Sequence, residues 1–256
     1  MNYNYHTHTY MCSHASGTPE EYIQKAIDGG IKYMGFSDHI PHINKDGIES
    51  FYRIPCNKGE EYIAKISALK EKYKDKIEIS VGFESEYYPE VFDKMLDRAI
   101  KLGGEYLILG AHYLSEEDAE HTLFPRDSYE FLKEYVSNVT KAIKSGVFTY
   151  VAHPDIVNFT GDFDIYKEEM RKICKASYEY NIPLEINFLG IRDNRSYPYE
   201  PFWQIAGEEK SPVTFGFDAH TVDGACDLQS LQKAEKMIKK YNINYIGKPE
   251  IIKLNR

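Results

Sequence analysis

The sequence predicts an α/β fold in which about seven strand–helix units close into a parallel, TIM-like barrel. Short apolar runs alternate with helical patterns along the chain, and this alternation gives a parallel sheet with helices outside it. The number of units suits a closed barrel better than an open doubly wound sheet. Histidines and acids follow most of the apolar runs, at the strand ends where barrel enzymes carry their chemistry.

The predicted strands are short apolar runs bounded by polar residues, a pattern typical of buried parallel strands. In chain order they are Asn2–Tyr5, Tyr33–Phe36, Ile77–Phe83, Tyr106–Ala111, Phe148–Ala152, Pro183–Asn187 and Val213–Phe217. No eighth run is evident, because the seventh strand is followed by one long helix and a short tail, Tyr245–Leu254.

The first predicted helix has the clearest start and stop signals. Thr18 is a helix-capping residue, Pro19 suits the first turn, and Glu21 completes a capping box, whereas Gly29-Gly30 ends the helix. Apolar residues at helical spacing predict the other helices. The set is Tyr22–Asp28, Gly59–Tyr73, Val91–Leu102, Ser128–Lys144, Ile165–Tyr180 and Leu228–Tyr241.

Length and composition indicate one acidic domain. The 256 residues contain no linker, repeat or change of composition, so we expect a single domain over 1–256. A net charge of -9 argues against a nucleic-acid partner, since that binding depends on lysine and arginine. We expect no membrane span, because no run approaches ~20 apolar residues, and no signal peptide, because a strand begins at once. Four cysteines without a CxxC pair are typical of the reducing cytoplasm.

The placement of the histidines predicts a metal site of two or three ions. His6 and His8 are two residues apart in an extended segment, so their rings share a face and can reach one ion. A single histidine is more often structural, but several clusters that each end a different strand favour a shared site. Cys12 is a less favoured ligand, because imidazole and carboxylate already suffice. The candidate ligands are His6, His8, His14, His39, Glu84, His112, His153, Asp218 and His220.

The same residues lie in motifs that resemble the polymerase and histidinol phosphatase (PHP) superfamily, in order and over essentially the whole chain. The motifs are His6-Thr7-His8-Thr9, Ser37-Asp38-His39, Gly82-Phe83-Glu84, Ala111-His112-Tyr113, Ala152-His153-Pro154 and Phe217-Asp218-Ala219-His220. Within the superfamily the chain is most similar to histidinol-phosphate phosphatases. This closer likeness rests on Phe83–Pro89, His112–Leu114, Glu185–Asn187, Gly190–Arg192 and Tyr197-Pro198.

The resemblance implies a distorted (β/α)7 barrel with three divalent ions at the C-terminal face of its strands. It allots His6, His8, Glu84 and Asp218 to the first ion. It makes Glu84 a bridge to the second ion, with His112 and His153, and gives the third ion His14, His39 and His220. Imidazole and carboxylate suit zinc, iron and manganese alike. Water between two ions would lose its proton and attack the phosphoryl group.

Other polar residues are candidates for catalysis and substrate binding. Asp38 and Asp218 are candidates for proton transfer or ligand orientation, Arg192 for a phosphate clamp, and Arg53 and His42 for substrate contacts. For each, an ordinary structural or surface role is the alternative. Carboxylates near the mouth, for which Glu86 and Asp193 are candidates, would pair with the amino group of histidinol phosphate. The resemblance implies a basic residue soon after His153-Pro154, and the sequence has none in 155–159.

The sequence therefore predicts a metal-dependent phosphomonoesterase that acts on a small substrate, L-histidinol phosphate in histidine biosynthesis. One alternative is another phosphoesterase of the same superfamily, either a protein-tyrosine phosphatase or an exonuclease acting on short nucleotides. The acidic charge counts against the nuclease. The other alternative is a metal-binding module without catalysis, and the presence of every implied ligand counts against it.

Overall fold

A computed structural model describes residues 1–116 and 121–254 and contains eight parallel strands that pair in sequential order. The sheet curls into a distorted barrel, and the helices lie between the strands along the chain. The predicted α/β class is confirmed. The strands are β1 (Tyr3–Asn4), β2 (Tyr33–Phe36), β3 (Glu78–Ser85), β4 (Tyr106–Leu109), β5 (Phe148–Val151), β6 (Leu184–Asn187), β7 (Pro212–Gly216) and β8 (Asn244–Tyr245).

The helices largely follow the sequence prediction. They are α1 (Pro19–Asp28), α2 (Gly59–Tyr73), α3 (Phe92–Leu102), α4 (Tyr129–Ser145), α5 (Phe163–Tyr180), α6 (Phe188–Arg192), α7 (Glu200–Glu208) and α8 (Leu228–Tyr241). The capping box of α1 forms between Thr18 and Glu21. The sequence analysis missed α6 and α7. Among the described residues, no helix is long and apolar enough to cross a membrane.

The expectation of seven strands is wrong, because the structure has an eighth, very short strand. β8 has two residues and pairs with the start of β7, through Pro212 with Asn244 and Val213 with Tyr245. Its two residues form no apolar run, so no local pattern indicated this strand. The C-terminal end of β7 meets the first strand, because the amide of Phe217, directly after β7, donates to Asn4 Oδ1 at 3.0 Å.

Aromatic side chains fill the interior of the barrel below its C-terminal edge. Alternate residues of a strand point to opposite sides, so Tyr106 and Ile108 of β4 join an interior cluster while Leu107 and Leu109 pack in the larger core. The Tyr106 hydroxyl donates to the carbonyl of Tyr5 at 2.9 Å. This apolar floor leaves the strand ends above it as the place where polar side chains converge.

Candidate metal centre

All nine predicted ligands meet at the C-terminal ends of the strands. They are delivered by different elements, because parallel strands end at the same edge of the barrel. His6 and His8 follow β1, His14 follows a short 3-10 helix, His39 follows β2, Glu84 lies near the end of β3, His112 follows β4, His153 follows β5, and Asp218 and His220 follow β7.

Glu84 is the centre of the group, and its two carboxylate oxygens face different histidines. Oε2 lies 3.3 Å from His6 Nε2 and 3.1 Å from His8 Nε2. Oε1 lies 3.2 Å from His153 Nε2 and 3.5 Å from His112 Nε2. This is the arrangement that a carboxylate needs to serve two neighbouring cations.

Asp218 links the first pair of histidines to the outer side of the cluster. Its Oδ1 lies 3.4 Å from His6 Nε2 and 3.2 Å from His220 Nδ1. The other ring nitrogen of His220 is 2.9 Å from His14 Nε2. His14, the ligand in a loop, is therefore part of the same cluster.

His39 lies between His14 on one side of the site and His112 on the other. Its ring centre is 5.1 Å from that of His14 and also 5.1 Å from that of His112. Its Nε2 is 3.6 Å from Glu84 Oε2, and it groups with Glu84 and His112 as a candidate cation site. The predicted division of ligands, which places His39 with His14 and His220 alone, is thus not the only one that the geometry allows.

The donor set fits divalent cations. His8 Nε2 and Asp218 Oδ1 are buried without a directed hydrogen bond, although each faces other ligand atoms of the cluster. Burial lowers the pKa of His8 to about 3 and the pKa of His39 well below its ordinary value, so both rings are neutral. Burial alone would raise the pKa of Glu84, but the surrounding histidines hold it well below its usual range. Burial would also lower the pKa of His6 and of His112, but the acidic side chains beside them raise both values. A cation at these rings would therefore take the place of a proton.

Two ligands are held in a strained backbone conformation. His153 has φ 31 and Asp218 has φ 46, in the left-handed region that few residues other than glycine adopt. Strain of this kind persists only where the surrounding structure enforces it, and it is concentrated at functional sites. At both positions the chain turns sharply as it leaves a strand.

Two glycines leave the space that the buried carboxylates occupy. A Cβ on Gly110 would lie 2.1 Å from Glu84 Oε1, and a Cβ on Gly216 would lie 1.7 Å from Glu185 Oε1. Any side chain at either position would displace a carboxylate of the site.

Glu185 and Asn187 of β6 hydrogen-bond to two of the candidate ligands, a role that the sequence analysis did not give them. His6 Nδ1 donates to Glu185 Oε1 at 2.9 Å. The amide of Asn187 donates to Glu185 Oε2 at 2.8 Å and to Asp218 Oδ2 at 3.0 Å. Their i, i+2 spacing at a strand end was the available signal, as it was for His6 and His8.

Arg53 and Glu86 do not lie where the sequence analysis expected them. Both are buried, and the Arg53 guanidinium donates to Glu86 Oε2. The other oxygen of Glu86 accepts from His112 Nδ1 at 3.1 Å. Neither residue lines the cavity, because each has its charged partner inside the protein.

Asp38 and His42 also face protein groups. Asp38 accepts hydrogen bonds from the Thr9 amide at 2.7 Å and from the Thr9 hydroxyl at 3.1 Å, and burial raises its pKa to about 6. It fixes the segment after His8 and does not line the cavity, so direct proton transfer to substrate is not supported. His42 contacts Glu116 and likewise lies outside the cavity lining.

A cavity of about 550 Å³ opens above the ligands. Arg192 lies in its wall, but its guanidinium donates to Asp227 at 2.9 Å and to the backbone carbonyl of Asp218 at 3.3 Å. Arg195, which the sequence analysis did not consider, lies beside it and contacts Asp193 and Tyr197. The remaining wall includes Phe51, Tyr52, Tyr113, His121, Ile156, Leu189 and Thr221.

The wall residues that the sequence analysis missed come from segments distant in sequence. Tyr52 and Tyr113 stack with ring centres 5.8 Å apart, and His121 lies 5.2 Å from Tyr113. Nothing in the local sequence pairs these residues. Arg195 is different, because it stands three residues after Arg192 and a second basic residue in that segment was visible.

The chain is similar to known proteins over most of its length. The family model described as the PHP domain matches residues 4–188. A protein of Deinococcus radiodurans named probable histidinol-phosphatase is 27% identical over 226 residues, covering 84% of this chain and 85% of that protein. The histidinol-phosphatase of Bacillus subtilis is 25% identical over 251 residues, covering 84% and 92%.

A solved structure shows the same fold. It is the histidinol phosphate phosphatase of Lactococcus lactis complexed with zinc, L-histidinol and phosphate. It superposes with a TM-score of 0.74 at 19% identity, over 95% of each chain.

Proposed function

The chain belongs to the PHP domain family, and on that premise we propose that it is a metal-dependent phosphomonoesterase acting on L-histidinol phosphate. The observation that carries the proposal is the convergence of nine candidate ligand side chains, seven of which line a cavity with arginines in its wall. Relatives named histidinol-phosphatase match this chain over most of their length, and they support the choice of substrate.

The proposed cofactor is a set of three divalent ions, zinc, manganese or iron. His6, His8, Glu84 and Asp218 would hold one, Glu84, His112 and His153 another, and His14, His39 and His220 the third, with His39 near enough to Glu84 to contribute elsewhere. Such ions supply Lewis acidity toward water and toward phosphoryl oxygens.

The protein groups around the centre have separate tasks. Glu84 keeps a negative charge between the histidines proposed for the first ion and those proposed for the second. Asp218 lines the cavity, where its Oδ1 faces His6 and His220, and it is the proposed acceptor for the proton of the attacking water. Asn187 holds the other oxygen of Asp218 in place.

The phosphoryl group is assigned to the arginine side of the cavity. Arg195 is the better donor, because it is more exposed than Arg192 and its partners Asp193 and Tyr197 lie in the cavity wall. Arg192 instead donates to Asp227 and to the backbone that carries Asp218. Arg195 has a side chain about 35% exposed and can present its guanidinium to an anion. It also supplies the cation that the segment after His153-Pro154 lacks.

The rest of the cavity suits a small amino alcohol with an aromatic ring. Its volume lies in the range of small-molecule sites. Asp193 is the remaining carboxylate for the amino group, since it lies in the cavity wall and is partly exposed, whereas Glu86 is buried. Tyr52, Tyr113 and His121 offer ring faces to an imidazole. The acidic net charge supports a reaction without nucleic acid, and the cysteines, none of them in a disulfide among the described residues, support a cytoplasmic location.

A turnover assay with several phosphomonoesters tests the proposal. We expect kcat/KM for histidinol phosphate to exceed that for glycerol phosphate at least about tenfold, about 1.4 kcal/mol. A tyrosine-phosphorylated peptide and a short oligonucleotide serve as the other substrates. Glu84→Gln is the control and should lose activity by orders of magnitude while it stays folded. Equal rates for the first two substrates, or faster release from the peptide, would refute histidinol phosphate as the substrate.

A further inference from the structure

We infer that the buried pair of Glu86 and Arg53 is a positioning device that fixes the ring of His112 for metal binding. The inference rests on the proposed function in one respect, that His112 is a ligand. It concerns residues that first suggested substrate contacts and that the structure places behind the site.

The pair connects three loops of the catalytic face. Arg53 comes from the segment after β2, Glu86 follows β3, and His112 follows β4. Arg53 is 2% exposed and Glu86 is 1% exposed. Arg53 Nη1 donates to the carbonyl of Ile40 at 3.3 Å, and Nη2 donates to Glu86 and, at 3.2 Å, to the hydroxyl of Tyr52 in the cavity wall.

Glu86 divides its two oxygens between the arginine and the histidine. Oε2 accepts from Arg53, and Oε1 accepts from His112 Nδ1 at 3.1 Å. The hydrogen bond keeps the proton on Nδ1, so the lone pair of Nε2 points toward Glu84 Oε1, 3.5 Å away. A carboxylate that accepts from a ligand histidine fixes its tautomer and ring orientation and raises its basicity.

The energetics favour a positioning role over a purely stabilising one. A buried ion pair gains little net stability, because desolvation of both charges offsets their attraction. Such a pair gives a defined geometry instead. Arg53 donates to the Ile40 carbonyl through Nη1 and to Glu86 through Nη2, so the guanidinium is held in one orientation. The resulting position of Glu86 defines the ring plane of His112.

A similar contact on the other side of Glu84 supports this interpretation. His6 Nδ1 donates to Glu185, which the neutral amide of Asn187 holds in place. Both histidines thus donate from Nδ1 to a buried carboxylate and direct Nε2 to Glu84. For His112, the carboxylate is Glu86, and the residue that holds it is the cation Arg53 from another loop.

Zinc binding by purified variants tests the inference. Glu86→Gln keeps the shape of the side chain but removes its charge, and Arg53→Lys keeps the cation but removes the fork. Glu169→Gln is the matched control, because Glu169 is also buried and also pairs with a cation, Lys172, but lies on the outer helix α5. The measurements are zinc affinity by competition with a chromophoric chelator, the cobalt absorption spectrum, and the melting temperature with and without zinc.

We expect Glu86→Gln to lower the affinity for part of the bound zinc by about 10- to 100-fold and to change the cobalt spectrum. Arg53→Lys should lower the zinc affinity by about tenfold, the lower end of that range. In both variants zinc should raise the melting temperature less than in wild type. Glu169→Gln should retain the wild-type affinity and spectrum, even if its metal-free form melts earlier.

Wild-type affinity and spectrum in both folded variants would overturn the inference and leave the proposed function standing. Failure of both variants to fold would assign the pair a structural role and overturn it as well. A wild-type protein that binds zinc and hydrolyses no phosphomonoester would refute the proposed function alone, because the zinc measurements would still test the pair.

Discussion

Replacing Gly110 with alanine is the sharpest single test of the site geometry. Gly110 follows β4, where its amide donates to the carbonyl of Ser85 at 3.1 Å. Its φ is not in the left-handed region, so alanine suits the backbone. What an added methyl group meets is the site itself, because its Cβ would lie 2.1 Å from Glu84 Oε1 and 2.6 Å from His112 Cε1.

The size of the effect follows from these distances. Cβ contacts below 3.0 Å essentially do not occur, so the Glu84 carboxylate and the backbone must separate by about 0.9 Å. A displacement of ~1 Å at a reacting centre costs about 100-fold in rate, which corresponds to about 2.7 kcal/mol. The shift also moves Glu84 relative to His112 and His153, so we expect a lower metal content.

The assay is kcat/KM for histidinol phosphate, with metal content measured on the same samples. Gly59→Ala is the control, because its Cβ meets only side-chain atoms, chiefly the flexible end of Leu102 at 2.9 Å, at the start of α2. That variant should keep wild-type activity. A Gly110→Ala protein within threefold of wild type and with full metal content would show that Glu84 does not need its observed position.

Three further changes test other parts of the structure. Glu185→Gln removes the charge that accepts from His6 Nδ1 and should weaken metal affinity by about 10- to 100-fold; an unchanged zinc titration would contradict the orienting role. Arg195→Met should lower kcat/KM by about 10- to 150-fold, since a hydrogen bond to a charged group contributes about 1.5–3 kcal/mol; unchanged kinetics would return the phosphate contact to Arg192. Thr18→Ala removes the side chain that accepts from the Glu21 amide and should reduce the free energy of unfolding in urea by about 1 kcal/mol. Its activity should not change, and a loss of activity would show that α1 affects the site.

Residues whose partners are close in sequence were largely predictable. Most helix bounds depend on caps and on apolar spacing, and α2 and α8 have the predicted limits. The sequence analysis missed α6 and α7. The five residues of α6 are too few to show a helical period, and α7 follows a proline-containing turn. The convergence of the candidate ligands was predictable for a related reason, because parallel strands must end at one edge.

The partners of charged side chains were not predictable. Arg53 and Arg192 both suggested anion contacts, yet Arg53 is buried against Glu86 and Arg192 is largely taken by Asp227 and backbone carbonyls. A guanidinium binds whichever acceptor the fold brings near, and that acceptor can be far away in sequence. Arg195, three residues along, is the one that the fold leaves more available to the cavity.

The sequence by itself determined the fold class, the strand ends that carry the candidate ligands and which side chains those are, because each depends on a local pattern or on the common direction of parallel strands. Tertiary structure alone decided how Glu84 is shared among its histidines, which acids orient His6 and His112, and which residues form the cavity wall. These features depend on distances between loops that are far apart in the chain. Such distances are set by packing of the whole barrel, and no local pattern encodes them.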